Sequence, residues 1–199
     1  MTFLFLLEGI RTPFLNQLMQ FITYFGQELI VIAVICTFYW CADKRFAYLL
    51  GFTYFTAGLG VQALKITFRI PRPWVLDPTF QPVDSAVAGA TGYSFPSGHT
   101  QSATCLFYPL SLYVSRAWAR LMCVTAFLLI GFSRMYLGCH TPKDVLVSMG
   151  LSLVVSSLIW KFQSALLHDD RYVKVIAAIL VCLSIATAAY SLLLHGNGA

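Results

Sequence analysis

Charged residues are scarce in this chain, 11% of its 199 residues, against about 25% in an ordinary soluble domain. With 58% hydrophobic side chains and a mean hydropathy of +0.74, that shortage excludes a soluble globular domain. Sixteen Phe, ten Tyr and four Trp exclude disorder, a collagen-like repeat and a soluble coiled coil, none of which tolerates so much apolar surface. The six cysteines (Cys36, Cys41, Cys105, Cys123, Cys139, Cys182) form no CxxC pair and lie mostly inside apolar runs, which argues for structural thiols against a zinc site or disulfide framework. The N-terminal MTFLFLLEGIRTPF lacks a basic n-region and a small-residue cleavage site, so it reads as a retained segment. There is no internal repeat or low-complexity stretch.

What is present is apolar runs of helical length. At about 20 residues per span the length allows about five to seven spans and no separate soluble domain, so residues 1–199 read as one all-α, polytopic membrane domain. Runs at about 29–42, 46–68, 99–114, 118–137, 145–162 and 173–194 predict a six-helix transmembrane core. Gly51, Gly58 and Gly60 in the second run permit close helix approach in lipid. Residues 2–24 mix apolar side chains with Glu8, Arg11, Asn16, Gln17 and Gln20, which suits an amphipathic surface helix broken at Pro13 or, equally, an ordinary first span. Between about 70 and 97, Pro71, Pro73, Pro78, Pro82 and Pro96 exclude a regular helix. This is the long loop of the chain, and long loops in compact domains are usually functional.

Polar residues gather at the ends of these runs. Lys65 closes one helix while Arg72, between Pro71 and Pro73, stands on a stiff extended segment; the pair suits an anion, or snorkelling side chains at a helix end. In Phe95-Pro96-Ser97-Gly98-His99, Ser97 is a helix N-cap, Gly98 leaves room for close approach, and the free N–H groups of Gly98 and His99 suit a phosphate-like anion. His99 adds a proton donor. Arg134, His140 and Asp144 follow. Thr141-Pro142-Lys143-Asp144 reads as a cap with an acid in the first turn, and the same acid is close enough to hold the His140 Nδ1–H and free Nε2. Lys65, Arg72 and Arg134 would bind phosphoryl oxygens, one histidine would attack and the other protonate the leaving oxygen: phosphoryl transfer through a phosphohistidine.

The spacing resembles the type 2 phosphatidic acid phosphatase superfamily, whose motifs read KxxxxxxRP, PSGH and SRxxxxxHxxxD. Lys65 to Arg72-Pro73, Pro96-Ser97-Gly98-His99, and Ser133-Arg134 through His140 to Asp144 match in order without a departure, a motif-bearing core of 65–144. The resemblance implies a six-helix membrane core, no metal or other cofactor, and a double displacement on lipid phosphates or lipid diphosphates. It implies His140 as nucleophile, Asp144 as its orienting partner, His99 as general acid, and Lys65, Arg72, Ser97, Gly98 and Arg134 as the phosphate cradle. The expected partners are thus a lipid phosphate (phosphatidate, phosphatidylglycerophosphate or undecaprenyl diphosphate type) and membrane lipid, with no nucleic acid. Phosphoryl transfer to a second lipid, and a non-enzymatic lipid-binding protein, stand as alternatives.

Basic residues also bear on orientation, because short cytoplasmic loops are enriched in them. One side carries Lys44, Arg45, Arg116, Arg120, Lys161, Arg171 and Lys174; the other carries Arg11, Lys65, Arg69, Arg72, Arg134 and Lys143. Setting aside the cradle residues Lys65, Arg72 and Arg134 leaves Arg11, Arg69 and Lys143 against the first seven, which predicts a cell-membrane protein with its site and C-terminus outside the cytoplasm. Arg69 reads as a surface residue or a headgroup contact, and Trp74, Tyr93 and Tyr136 as interface anchors or the lining of a lipid opening. His168 and His195 read as surface residues. Asp77 and Asp84 in the long loop, with no further Lys or Arg there, disfavour a large polyanionic headgroup.

Overall fold

Capping residues divide the chain where its apolar runs break. The computed structural model describes residues 1–196, without the side chains of residues 170 and 194–196; the reading of His195 therefore lies outside the described residues. The helices are α1 (Thr2–Gly9), α2 (Pro13–Tyr24), α3 (Glu28–Cys41), α4 (Lys44–Phe68), two single turns α5 (Pro73–Leu76) and α6 (Asp84–Val87), then α7 (Gly98–Tyr113), α8 (Ala117–Tyr136), α9 (Pro142–Leu166) and α10 (Asp170–Gly196). No strand occurs among the described residues.

Each start has a local cause. Thr12 accepts from Leu15 N at 3.2 Å with Pro13 at the first helical position, so the expected break at Pro13 is the start of α2. Asp43 accepts from the N–H groups of Arg45 (2.9 Å) and Phe46 (3.1 Å), making the hydrophilic turn the cap of α4. In the long loop the prolines permit only α5 and α6.

Helices thus stand within a few residues of all the expected runs. By length and apolarity, Lys44–Leu76, Ala117–Tyr136, Pro142–Leu166 and Arg171–Leu193 can cross a membrane, and α2 with α3, bent by 42°, forms a fifth candidate. The remaining run is α7, whose 16 residues rise about 24 Å against about 30 Å of hydrocarbon.

Large apolar side chains face outward, and the interior holds polar side chains among its apolar clusters. Leu29, Trp40, Leu121, Met122, Leu146, Leu158 and Leu192 are exposed, whereas Thr100, Gln101, Ser102, Thr104, Ser148, Ser152 and Ser156 are buried. Lipid tails are as apolar as leucine, so helix association rests on close packing and interhelical hydrogen bonds. α7 packs on α4, α8 and α9; α3 and α10 pack on α4; and α2 packs on α8. Gln101 Nε2 donates to Tyr54 O (3.1 Å) and Ser148 Oγ to Ser97 O (2.6 Å), tying α7 to α4 and its cap to α9.

α8 ends in a Schellman motif. Gly138 has φ +80°, its N–H donates to Met135 O (3.0 Å), and Cys139 N–H donates to Arg134 O (3.1 Å). A Cβ on Gly138 would meet Arg11 Nη2 and the Phe80 ring at 2.9 Å. Arg11 itself donates from Nε to Tyr136 O (3.1 Å) and from Nη1 to Gln81 O, clamping the N-terminal segment over the long loop. Gly138→Ala is expected to destabilise the protein by about 1–3 kcal/mol, through the left-handed backbone and the crowded Cβ. Thermal unfolding in detergent measures it; an unchanged melting temperature would refute the account.

Candidate active site

The helix ends converge on one cavity of about 420 Å³, whose walls include Lys65, Arg72, Gly98, His99, Arg134 and His140. Lys65 comes from the last turn of α4, Gly98 and His99 from the first turn of α7, Arg134 from the last turn of α8, and His140 from the turn between α8 and α9. Arg134, His140 and Asp144 are each only 2% exposed.

Arg72 is the most constrained of them. Its guanidinium donates from Nε to Gly92 O (3.0 Å), from Nη2 to Thr91 O (2.7 Å) and from Nη1 to Cys139 O (3.0 Å). The same Nη1 lies 3.0 Å from His140 Nε2. Because Arg carries no acceptor, that contact makes Nε2 the acceptor and leaves the ring proton on Nδ1.

Nδ1 lies 3.7 Å from Asp144 Oδ2, an ion-pair distance longer than a hydrogen bond. Oδ2 accepts from Ser94 Oγ (2.6 Å) and from Thr141 N (2.8 Å), while Thr141 Oγ1 accepts from Asp144 N (3.3 Å). Asp144 thus completes the expected capping box, whereas the expected hold on the His140 Nδ1–H is a contact at 3.7 Å and not a hydrogen bond.

Ser97 occupies the N-cap position of α7. It is fully buried, and its Oγ accepts from Thr100 N (3.4 Å) and Thr100 Oγ1 (2.9 Å). It holds the turn that presents Gly98 and His99 to the cavity. Gly98 lines the cavity, and a Cβ on it would meet nothing within 4 Å. Arg134 Nη1 donates to Thr23 Oγ1 (3.2 Å), while Arg134 Nε and His140 Nδ1 are buried without a hydrogen-bond partner.

Several neighbours sit elsewhere. Arg69 closes α4 in the left-handed conformation (φ 47°), its Nε donating to Ile66 O (3.2 Å), and serves as a helix end. Tyr136 is not at the interface: it is 1% exposed, packed with Leu137, Cys139 and Ala86, because its position on the last turn of α8 faces the long loop. Trp74 packs against the Leu4, Leu7 and Phe80 cluster, Tyr93 is half-buried, and His168 is exposed. All six cysteines are free.

Sequence reasoning missed Ser94, Thr23 and the carbonyls of Thr91, Gly92 and Cys139. Ser94 belongs to no motif, Thr23 is 111 residues from Arg134, and a carbonyl's direction has no side-chain signature.

Electrostatics follow from this burial. Loss of hydration pushes the His140 imidazole down to about 3, with Arg134 and Arg72 acting the same way and Asp144 opposing. Above the ordinary value of about 6.5 the ring is neutral in folded and unfolded chains. Below it, the unfolded chain binds a proton that the folded chain refuses, so stability is lost as pH falls from about 6.5 towards about 3. The melting temperature of the ligand-free protein is expected to fall over this window, less steeply in His140→Asn. Parallel pH profiles would refute the assignment.

Comparisons with known proteins place the chain among membrane phosphatases by sequence and fold. Residues 46–168 match the PAP2 superfamily. Phosphatidylglycerophosphatase B of Bacillus subtilis (strain 168) is 28% identical over 170 residues, 77% of each chain. Undecaprenyl-diphosphatase BcrC of the same organism is 30% identical over 128 residues, 61% of this chain and 63% of that protein. Among solved structures, LpxE of Aquifex aeolicus superimposes with a TM-score of 0.69 at 23% identity, over 80% of this chain and 93% of that one, a likeness of fold. The transmembrane PAP2 type phosphatidylglycerolphosphate phosphatase from Bacillus subtilis gives 0.66 at 26% identity, over 78% and 80%.

Proposed function

The chain belongs to the PAP2 superfamily, and from that premise we propose that this multi-pass membrane protein is a lipid phosphatase working through a phosphohistidine. The observation that carries the reading is the single cavity in which Lys65, Arg72 and Arg134 face the N-terminus of α7 and both His99 and His140. Concentrated positive charge in a desolvated site is costly unless an anion fills it, and a phosphoryl dianion does so.

The phosphoryl oxygens draw the Arg72 fork from His140 Nε2, exposing its lone pair. Nε2 attacks phosphorus, the N–P bond forms, and the bond to the leaving oxygen breaks as His99 donates it a proton. A water that loses its proton to His99 then cleaves the N–P bond, releasing inorganic phosphate and restoring both histidines. Asp144 holds the Nδ1–H side as positive charge develops on the ring. Lys65, Arg72 and Arg134, with the N–H groups of Gly98 and its neighbour, balance the equatorial charge, and Ser97 keeps those N–H groups aimed. The cationic side chains supply the charge stabilisation a metal would otherwise give.

Relatives acting on phosphatidylglycerophosphate and undecaprenyl diphosphate support a lipid phosphomonoester or diphosphate substrate of that type. The membrane core is read as six spans, α3, α4 and α7 to α10, with the site on the extracytoplasmic face.

Phosphate release from phosphatidate, phosphatidylglycerophosphate and undecaprenyl diphosphate tests the activity. His140→Ala is expected to lose on the order of 10⁴-fold or more in turnover. Acid-labile, base-stable phosphate is expected on the wild type and absent from the variant. Equal activity of the two proteins would refute the proposal, and label passing into a second lipid would mark a transferase. A C-terminal reporter active only in the cytoplasm would overturn the orientation.

A further inference from the structure

A second cavity of about 420 Å³ lies between α3, α4 and α10, with Ile35, Tyr39, Gly51, Phe52, Ala177 and Val181 among its walls. The active-site cavity and this groove share Phe55 and Ser184 as lining residues, so they meet along α4. The adjacent residues Tyr54 and Phe55 divide the two: Tyr54 belongs to the catalytic cavity, while Phe55 borders both and is 51% exposed. From Lys65 at one end to Ala47 at the other, the combined path follows α4 for 18 residue steps, about 27 Å at about 1.5 Å per step, close to the hydrocarbon thickness of about 30 Å.

Its character changes along the way. The Lys65 end carries cations, amides and hydroxyls; beyond Phe55 the walls are almost wholly aliphatic and aromatic. A path charged at one end and apolar at the other has the polarity of a single-chain amphiphile with a phosphate head. Two features keep the apolar half open. A Cβ on Gly51 would meet nothing within 4 Å, and α10, which forms the far wall through Ala177, Leu180, Val181 and Ser184, packs chiefly on α4 with none of its apolar window buried.

We propose that this groove seats a hydrocarbon chain of the phosphorylated lipid, passing Phe55 and Ser184, while its phosphate occupies the cradle at Lys65, Arg72 and Arg134. The assignment rests on the phosphatase reading and names what that reading leaves open, the part of the protein that recognises the tail. Moving a chain from bilayer to groove gains no hydrophobic free energy, so selectivity comes from fit, and filling the groove excludes long chains without touching the chemistry.

Gly51→Leu places a side chain in the open space, far from the phosphate cradle. Butyl and dodecyl phosphate are the probes, assayed with wild type and variant at one detergent concentration so that micellar partition cancels. The variant is expected to turn over butyl phosphate at the wild-type rate and to lose at least about tenfold in the dodecyl-to-butyl ratio. Photolysis of wild type with dodecyl phosphate bearing a terminal diazirine is expected to label residues 47–55 and 177–184, and excess inorganic phosphate to suppress it. This second measurement needs no variant to fold. Intact butyl turnover with an unchanged ratio, or label spread over the lipid faces of α8 and α9, would overturn the groove and leave the phosphatase standing. Wild-type dimers that Gly51→Leu disrupts would assign the groove to a second copy and also overturn it. Failure of the wild type on either phosphate would instead strike at the phosphatase reading.

Discussion

The guanidinium of Arg72 is the interaction through which the rest of the candidate site is held together. It ties the long loop, through Thr91 and Gly92, to the turn between α8 and α9 at Cys139, and it caps the lone pair of His140. A planar fork reaches all of these at once; a lysine ammonium, a point donor on a flexible stem, would not. The flanking prolines make this economical, since Pro71 and Pro73 restrict the backbone before any contact forms.

Around that anchor, positive charge accumulates faster than negative. Arg134 and Lys65 join Arg72, and the nearby carboxylate, Asp144, is already engaged by Ser94 and Thr141. In a membrane-embedded setting such an imbalance is tolerated when a bound anion offsets it, which is why the proposed function assigns a phosphoryl group to this cavity. The resting contact between Arg72 and His140 gives the unoccupied site an internal partner, one that a phosphoryl group would displace.

Helix ends explain the spacing of the third motif. Arg134 accepts the 6→1 bond of the Schellman turn, Gly138 is the left-handed residue, and His140 follows directly. Thr141 caps the next helix, Pro142 begins it and Asp144 closes the capping box. The intervals are therefore the length of one C-cap joined to one N-cap, which places a histidine between two helix ends with an acid one turn away.

What the sequence by itself determined is what depends on local physics: an all-helical membrane chain, from the scarcity of charge; a break at Pro13 and helix caps at Ser97 and Thr141; and the motif residues at helix ends. These are set by neighbours within a few positions. Tertiary structure alone decided that Ser94 grips Asp144, that Thr23 meets Arg134, that Arg11 clamps the loop at Gln81, and that Tyr136 is buried away from the interface. It also decided that the candidate-site cavity meets an apolar groove against α10, more than a hundred residues from α4 in the chain. Such contacts join groups far apart in sequence and depend on how whole helices pack, a long-range geometry that no periodicity or spacing within one segment encodes.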